Sequence, residues 1–207
     1  MNPHRERRIG ILGGSFDPIH AGHLSVAQQV ARRLHLDEVI LVPAGAPPHK
    51  LDRALAPAAD RLAMARLAVR GLARLTVSDI EIRRSGPSYS IDTLRALKSR
   101  LGAGNRYFFI IGADTVGDLP DWHQAAELVG ETDFAVVARP GCEADFGRVG
   151  RLLGPAAEAK LRAAAVEIEP CDVSSTLVRE RTAVGEDIIG QARAAVAEYI
   201  RRKNLYR

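Results

Sequence analysis

At 207 residues the chain is long enough for one domain with a substantial core and short for two. With 46% hydrophobic and 26% charged residues of mixed sign it lacks the marks of long disorder, and its formal charge of +4 suits anionic ligands without any dense Lys/Arg block that would point to nucleic acid. Its two cysteines, Cys142 and Cys171, make no C-x-x-C pair, so neither a zinc site nor a redox motif is expected and both read as reduced thiols of a cytoplasmic protein.

Met1 to Arg8 is polar and basic, without the apolar stretch of a secretory signal, and residues 1–7 read as a flexible extension of a single domain. Arg8 to Gly13 (RIGILG) reads as a buried strand running into glycines. Ala21 to Leu34 follows a helical period. Glu38 to Pro43 (EVILVP) is a second strand stopped by proline, and Ala44 to Leu55 is a loop rich in Pro, Gly and charge. Ala58 to Arg70 is an amphipathic helix. Thr76 to Arg84 alternates apolar and polar residues as an edge or half-buried strand does. After a turn at Gly86 to Tyr89, a helix is expected over Ser90 to Arg100 with Ser90 as its N-cap. Arg106 to Ile111 (RYFFII) and Thr132 to Ala138 are further strands, and Ala165 to Ile168 is a short last one. The Gly- and Ala-rich stretch Gly141 to Ala164 reads as a helical insertion, and Ser174 to Arg181 and Asp187 to Arg202 as C-terminal helices. No apolar run approaches the roughly 20 residues that span a bilayer. Strands separated by helices imply right-handed βαβ units, hence an α/β domain with an open, doubly wound, mostly parallel sheet.

The first strand runs into Gly13-Gly14-Ser15-Phe16-Asp17-Pro18-Ile19-His20-Ala21-Gly22-His23 before a helix begins. Such a strand–turn–helix at the carboxyl edge of a parallel sheet is where anions bind, because helix amides and the dipole favour phosphate. The string is neither G-x-G-x-x-G nor a P-loop. The spacing of His20 and His23 places both imidazoles on one face, where they can donate to phosphate oxygens and support transition-state charge. Gly22 has no Cβ, so a ligand can approach the backbone. Phe16 reads as core and Pro18 as a turn former. Near the C-terminus, Ser174-Ser175-Thr176 precedes a helix and Arg179 follows one turn on. Helical side chains lean toward the N-terminus, so hydroxyls, amides and guanidinium converge in a way that suits a triphosphate.

Together these strings resemble the G-x-F-x-P-x-H-x-G-H and I-S-S-T-x-x-R motifs of the nucleotidyltransferase superfamily, with Val173 in place of the isoleucine. The middle of the chain is similar to bacterial nicotinate-nucleotide adenylyltransferases in three places: Pro47-Pro48-His49-Lys50; Ser88-Tyr89-Ser90-Ile91-Asp92-Thr93-Leu94, where Ser90 replaces threonine; and Gly112-Ala113-Asp114 with Leu119-Pro120-Asp121-Trp122-His123. The resemblance covers Arg8 to Arg202 and implies a Rossmann-like nucleotidyltransferase fold.

It also implies transfer of AMP from ATP to nicotinate mononucleotide in NAD biosynthesis. Gly13, Gly14, Ser15, Phe16, His20, Gly22, His23, Gly112, Asp114, Ser175, Thr176 and Arg179 would then meet ATP, with His20, His23 and Arg179 catalytic. His49 and Lys50 would meet the acceptor's phosphate, Trp122 its pyridine ring, and Ser90 and His123 its carboxylate. Magnesium is expected through the ATP phosphates, with no all-protein metal site. The partners are then small molecules rather than nucleic acid or membrane, and a homo-oligomer is compatible with the chain. The alternatives are the amide acceptor nicotinamide mononucleotide, another phosphorylated acceptor, or a non-catalytic nucleotide sensor.

Overall fold

The computed structural model describes residues 5–47, 55–138 and 143–207. Six parallel strands form one sheet: β1 (Arg8–Gly14), β2 (Glu38–Pro43), β3 (Leu75–Val77), β4 (Arg106–Gly112), β5 (Asp133–Val137) and β6 (Ala165–Val166), in the order β3-β2-β1-β4-β5-β6. The sheet is thus wholly rather than mostly parallel. The connecting helices are α1 (Ala21–Arg33), α2 (Ala58–Val69), α3 (Ile80–Arg83), α4 (Ser90–Leu101), α5 (Ala113–Val116), α6 (Ala125–Glu131), α7 (Phe146–Leu153), α8 (Pro155–Ala163), α9 (Ser175–Ala183) and α10 (Ala194–Lys203). None of the described helices is long and apolar enough to cross a membrane.

The pleat divides the core in two. Leu12, Val39, Leu41, Phe108, Ile110 and Val137 pack on one face with Ala27, Val30, Met64, Ala65, Val196 and Ile200 from α1, α2 and α10. Ile9, Ile11, Ile40, Val42, Phe109, Ile111 and Val136 pack on the other with Ile91, Leu94, Leu128, Val149 and Leu161 from α4, α6, α7 and α8. With both faces covered, the central strands are near-continuous apolar runs. The order reverses between β1 and β4, and the crevice beyond the carboxyl ends of those two strands is the place this topology leaves for a ligand.

Two expected elements are corrected. Of Thr76 to Arg84 only the first residues pair with β2; after the Ser78 amide bonds the Leu41 carbonyl, the chain turns away as α3. The helical turn brings Asp79 to within 2.9 Å of the Arg83 Nε, and Glu81 turns inward to accept from the Thr93 hydroxyl at 2.7 Å. Those partners outweigh the alternation of a strand. The last helix begins at Ala194 rather than Asp187. Gly190 has φ +99°, the Asp187 carboxylate accepts from the Ile189 amide, and the Gln191 carbonyl accepts from the Ala21 amide at the start of α1. The Gly141 to Ala164 stretch holds two helices in its described part, α7 and α8, whereas Arg139–Cys142 lies outside the described residues. Cys171 is an exposed free thiol.

Candidate active site

His20 caps α1 and His23 stands on its first turn. Each ring commits Nδ1 to a backbone amide: His20 Nδ1 accepts from Gly22 N at 3.2 Å, and His23 Nδ1 accepts from His20 N at 3.3 Å. An acceptor Nδ1 in a neutral ring leaves Nε2 carrying the proton. The two rings lie 3.8 Å apart, tilted by 37°, and Phe16, buried as expected, meets His23 edge-on at 4.9 Å. Gly22 has a nearer reason than ligand approach. A Cβ there would sit 3.0 Å from the His20 ring and 3.0 Å from the Val173 carbonyl oxygen, so the glycine lets the two motifs pack together.

The C-terminal motif docks directly onto the first loop. Ser174 caps α9 by accepting from the Leu177 amide. Ser175 Oγ donates to the Pro18 carbonyl at 3.0 Å. Arg179 folds back, donating to the Asp17 carbonyl at 2.6 Å and to Thr176 Oγ1 at 2.9 Å. Segments more than 150 positions apart in sequence thus share one cluster of hydroxyls and guanidinium.

A cleft of about 720 Å³ opens beside this cluster. Its floor is Gly13, Gly14 and Ser15 from the end of β1 and Ile111 and Gly112 from the end of β4; His23, Thr176 and Arg179 line one side. The far wall carries Ser88, Tyr89, Ser90, Asp114, Trp122 and His123. Ser90 is the first residue of α4 and not its cap; Tyr89 holds that position and makes no capping bond with its side chain. Trp122 is half-buried and meets Phe109 edge-on at 6.2 Å, and the His123 ring stacks on Tyr89 at 4.2 Å. Ser88 Oγ accepts from the Gly45 and Ala46 amides, fastening the start of the loop after β2 to this wall. His49 and Lys50 lie outside the described residues.

A second cavity of about 380 Å³ adjoins the first. The two share Leu12, His23, Ile110, Ile111 and Gly112. His20, Gly22, Ser25 and Val26 from the start of α1, Val137 and Ala138, and the segment from Ile168 to Ser174 line the rest. Sequence reasoning assigned Ile168 to a strand and Val173 and Ser174 to the C-terminal motif but gave residues 169–172 no role: they are irregular backbone, and only the topology brings them to the ends of β4 and β5. Among the described residues, no group of three or more His, Cys, Asp or Glu side chains is placed to hold a metal ion.

A cytidylyltransferase-like family model matches residues 11–181. The chain is 42% identical over 200 residues to a Dehalococcoides mccartyi protein named "Probable nicotinate-nucleotide adenylyltransferase", covering 96% of this chain and 97% of the relative. It is 43% identical over 203 residues to a Synechococcus protein of the same name, covering 98% and 96%. In fold it is similar to the solved structure of Plasmodium falciparum nicotinic acid mononucleotide adenylyltransferase complexed with NaAD, with a TM-score of 0.76 at 22% identity over 97% of this chain and 98% of that one.

Proposed function

The chain belongs to the nicotinate-nucleotide adenylyltransferase family, and on that premise we propose that it joins the AMP unit of ATP to nicotinate mononucleotide, releasing pyrophosphate. The observation that carries the reading is the pair of adjoining cavities that meet at His23 and Gly112. One is lined mainly by apolar side chains and backbone and fits a nucleobase. The other holds the hydroxyls, the guanidinium and the only tryptophan. An α-phosphate seated at their junction faces the His20 and His23 pair.

An oxygen of the acceptor's 5′-phosphate attacks the α-phosphorus in line. A new P–O bond forms as the bond to the bridging oxygen of pyrophosphate breaks, and the electron pair leaves on that oxygen. A phosphate monoester is already largely ionised at neutral pH, so no protein base is needed, and the residues act by placement and charge stabilisation. His20 and His23 would donate through Nε2 to the oxygens about the reacting phosphorus. Ser175, Thr176 and Arg179 would hold the departing pyrophosphate. The acceptor's ring would stack on Trp122, with its carboxylate met by amides at Ser90 and His123. The donor set suits magnesium carried by the substrate: Asp114 is one of the carboxylates that line the cleft and would help hold a cation arriving with the phosphates. Bound that way, the ion would neutralise phosphate charge.

The test is the fate of label. With ATP labelled at the α-phosphate, nicotinate mononucleotide should draw the label into a dinucleotide, and with γ-label it should appear in pyrophosphate. Label remaining in ATP with either mononucleotide would count against the reading and favour a nucleotide sensor.

A further inference from the structure

From Tyr107 to Ala138, the stretch that builds the acceptor wall, the sequence has no Lys or Arg, yet it carries Asp114, Asp118 and Asp121. Asp114 and Asp121 line the cleft, and Asp121 immediately precedes Trp122. An acceptor with a phosphate and a carboxylate would meet an acidic wall. Among the described residues, a compensating cation comes from another element. Arg148, on the first turn of α7, reaches across with a two-pronged contact to Asp121, at 2.9 and 3.0 Å, and also donates to the Gly117 carbonyl. Asp145 caps α7 by accepting from the Arg148 amide at 2.8 Å, which sets the direction of the side chain. The pair is half exposed, with 57% of the Asp121 side chain accessible, so it adds little to stability. Its geometry suits a different task.

We propose that Arg148 is a specificity-determining residue: by screening Asp121, it lets the wall that carries Trp122 accept an anionic pyridine mononucleotide in preference to the neutral amide. The proposal rests on the acceptor site described above. With this guanidinium removed, more of the Asp121 charge would oppose the acceptor's carboxylate while leaving the carboxamide almost unaffected. For two carboxylates within about 8 Å, the Coulomb interaction at effective dielectric constants of about 80 to 20 changes affinity by about 2- to 30-fold.

Trp122 is the only tryptophan, so its fluorescence reports binding at this wall directly. The experiment titrates the intact wild-type protein, R148Q and the D121N/R148Q double variant with nicotinate and nicotinamide mononucleotides, with ATP affinity measured alongside. The wild type should prefer the acid. R148Q should lose about 2- to 30-fold of that preference, chiefly through weaker acid binding, with a smaller loss at high salt and unchanged ATP affinity. The double variant should regain the preference, because the charge being screened is gone. If R148Q keeps the full preference, weakens both acceptors equally, or is not rescued in the double variant, the inference is overturned. A wild type whose fluorescence does not respond, or that shows no acid preference, overturns the acceptor site itself and this inference with it.

Discussion

Each histidine of the first loop has one ring nitrogen held by the backbone, and that is what aims the other. Removing His23 takes away the acceptor that holds the His20 amide and, on the proposed reading, a donor at the reacting phosphorus. His23→Ala is expected to lower turnover by roughly 10²- to 10³-fold while ATP still binds. Turnover within a fewfold of wild type would contradict the assignment. Glu81 behaves differently. It lies buried at the edge of the cleft, and burial pushes its carboxyl above the usual range despite hydrogen bonds from Thr93 and Ser88 and the charge of Arg84. The native state therefore keeps this proton to higher pH than the unfolded chain, so between the two pKa values stability falls as pH rises. Glu81→Gln, which cannot ionise, is expected to gain thermal stability relative to wild type as pH rises above the ordinary carboxylate range of about 4. A difference in Tm that does not change with pH would contradict this. At this scale the motif residues were legible in the sequence, because phosphate chemistry draws on few side chains at fixed spacings. Arg148 was not. Its partners lie about one helix and one strand earlier, and nothing local marks a surface arginine as a charge screen.

Among the elements, α2 does more than cover the sheet. Arg61, on its first turn and only 2% exposed, donates to the carbonyls of Ser15, Ala56 and Gly45. It joins the loop after β1 to the first residues after β2 and to the approach to α2. Beside it, Asp17 accepts from the Tyr206 hydroxyl at 2.7 Å and from the Ala56 amide, so the residues following α10 brace the same loop from behind. Gly45 fits there because a Cβ would fall 2.4 Å from the Glu81 carbonyl oxygen. Arg61→Met keeps much of the side-chain volume but leaves three carbonyls without this donor. The expected cost is about 2–4 kcal/mol, read from the shift in denaturation midpoint. A change below about 0.5 kcal/mol, typical of a surface substitution, would refute the bracing role. The sequence revealed most elements through period and breaker residues. It misled over Thr76 to Arg84 and Asp187 to Arg202, where an ion pair, a buried carboxyl and a left-handed glycine decide the conformation. Those partners are distant contacts or backbone geometry that a local pattern does not carry.

For the molecule as a whole, alternation of strand and helix was enough to foresee a doubly wound sheet, and the reversal of strand order places the cleft without reference to any motif. What composition and pattern could not supply was the second cavity, formed where the segment after β6 passes over the ends of β4 and β5. On the proposed reading the two cavities would hold a nucleobase on one side and a pyridine on the other, with the two imidazoles beside the seam. The central claim is the acid acceptor, and the most direct measurement is the ratio of kcat/KM for nicotinate mononucleotide over nicotinamide mononucleotide, from pyrophosphate release with ATP and magnesium. The account predicts a large ratio in favour of the acid. A ratio at or below one would contradict it.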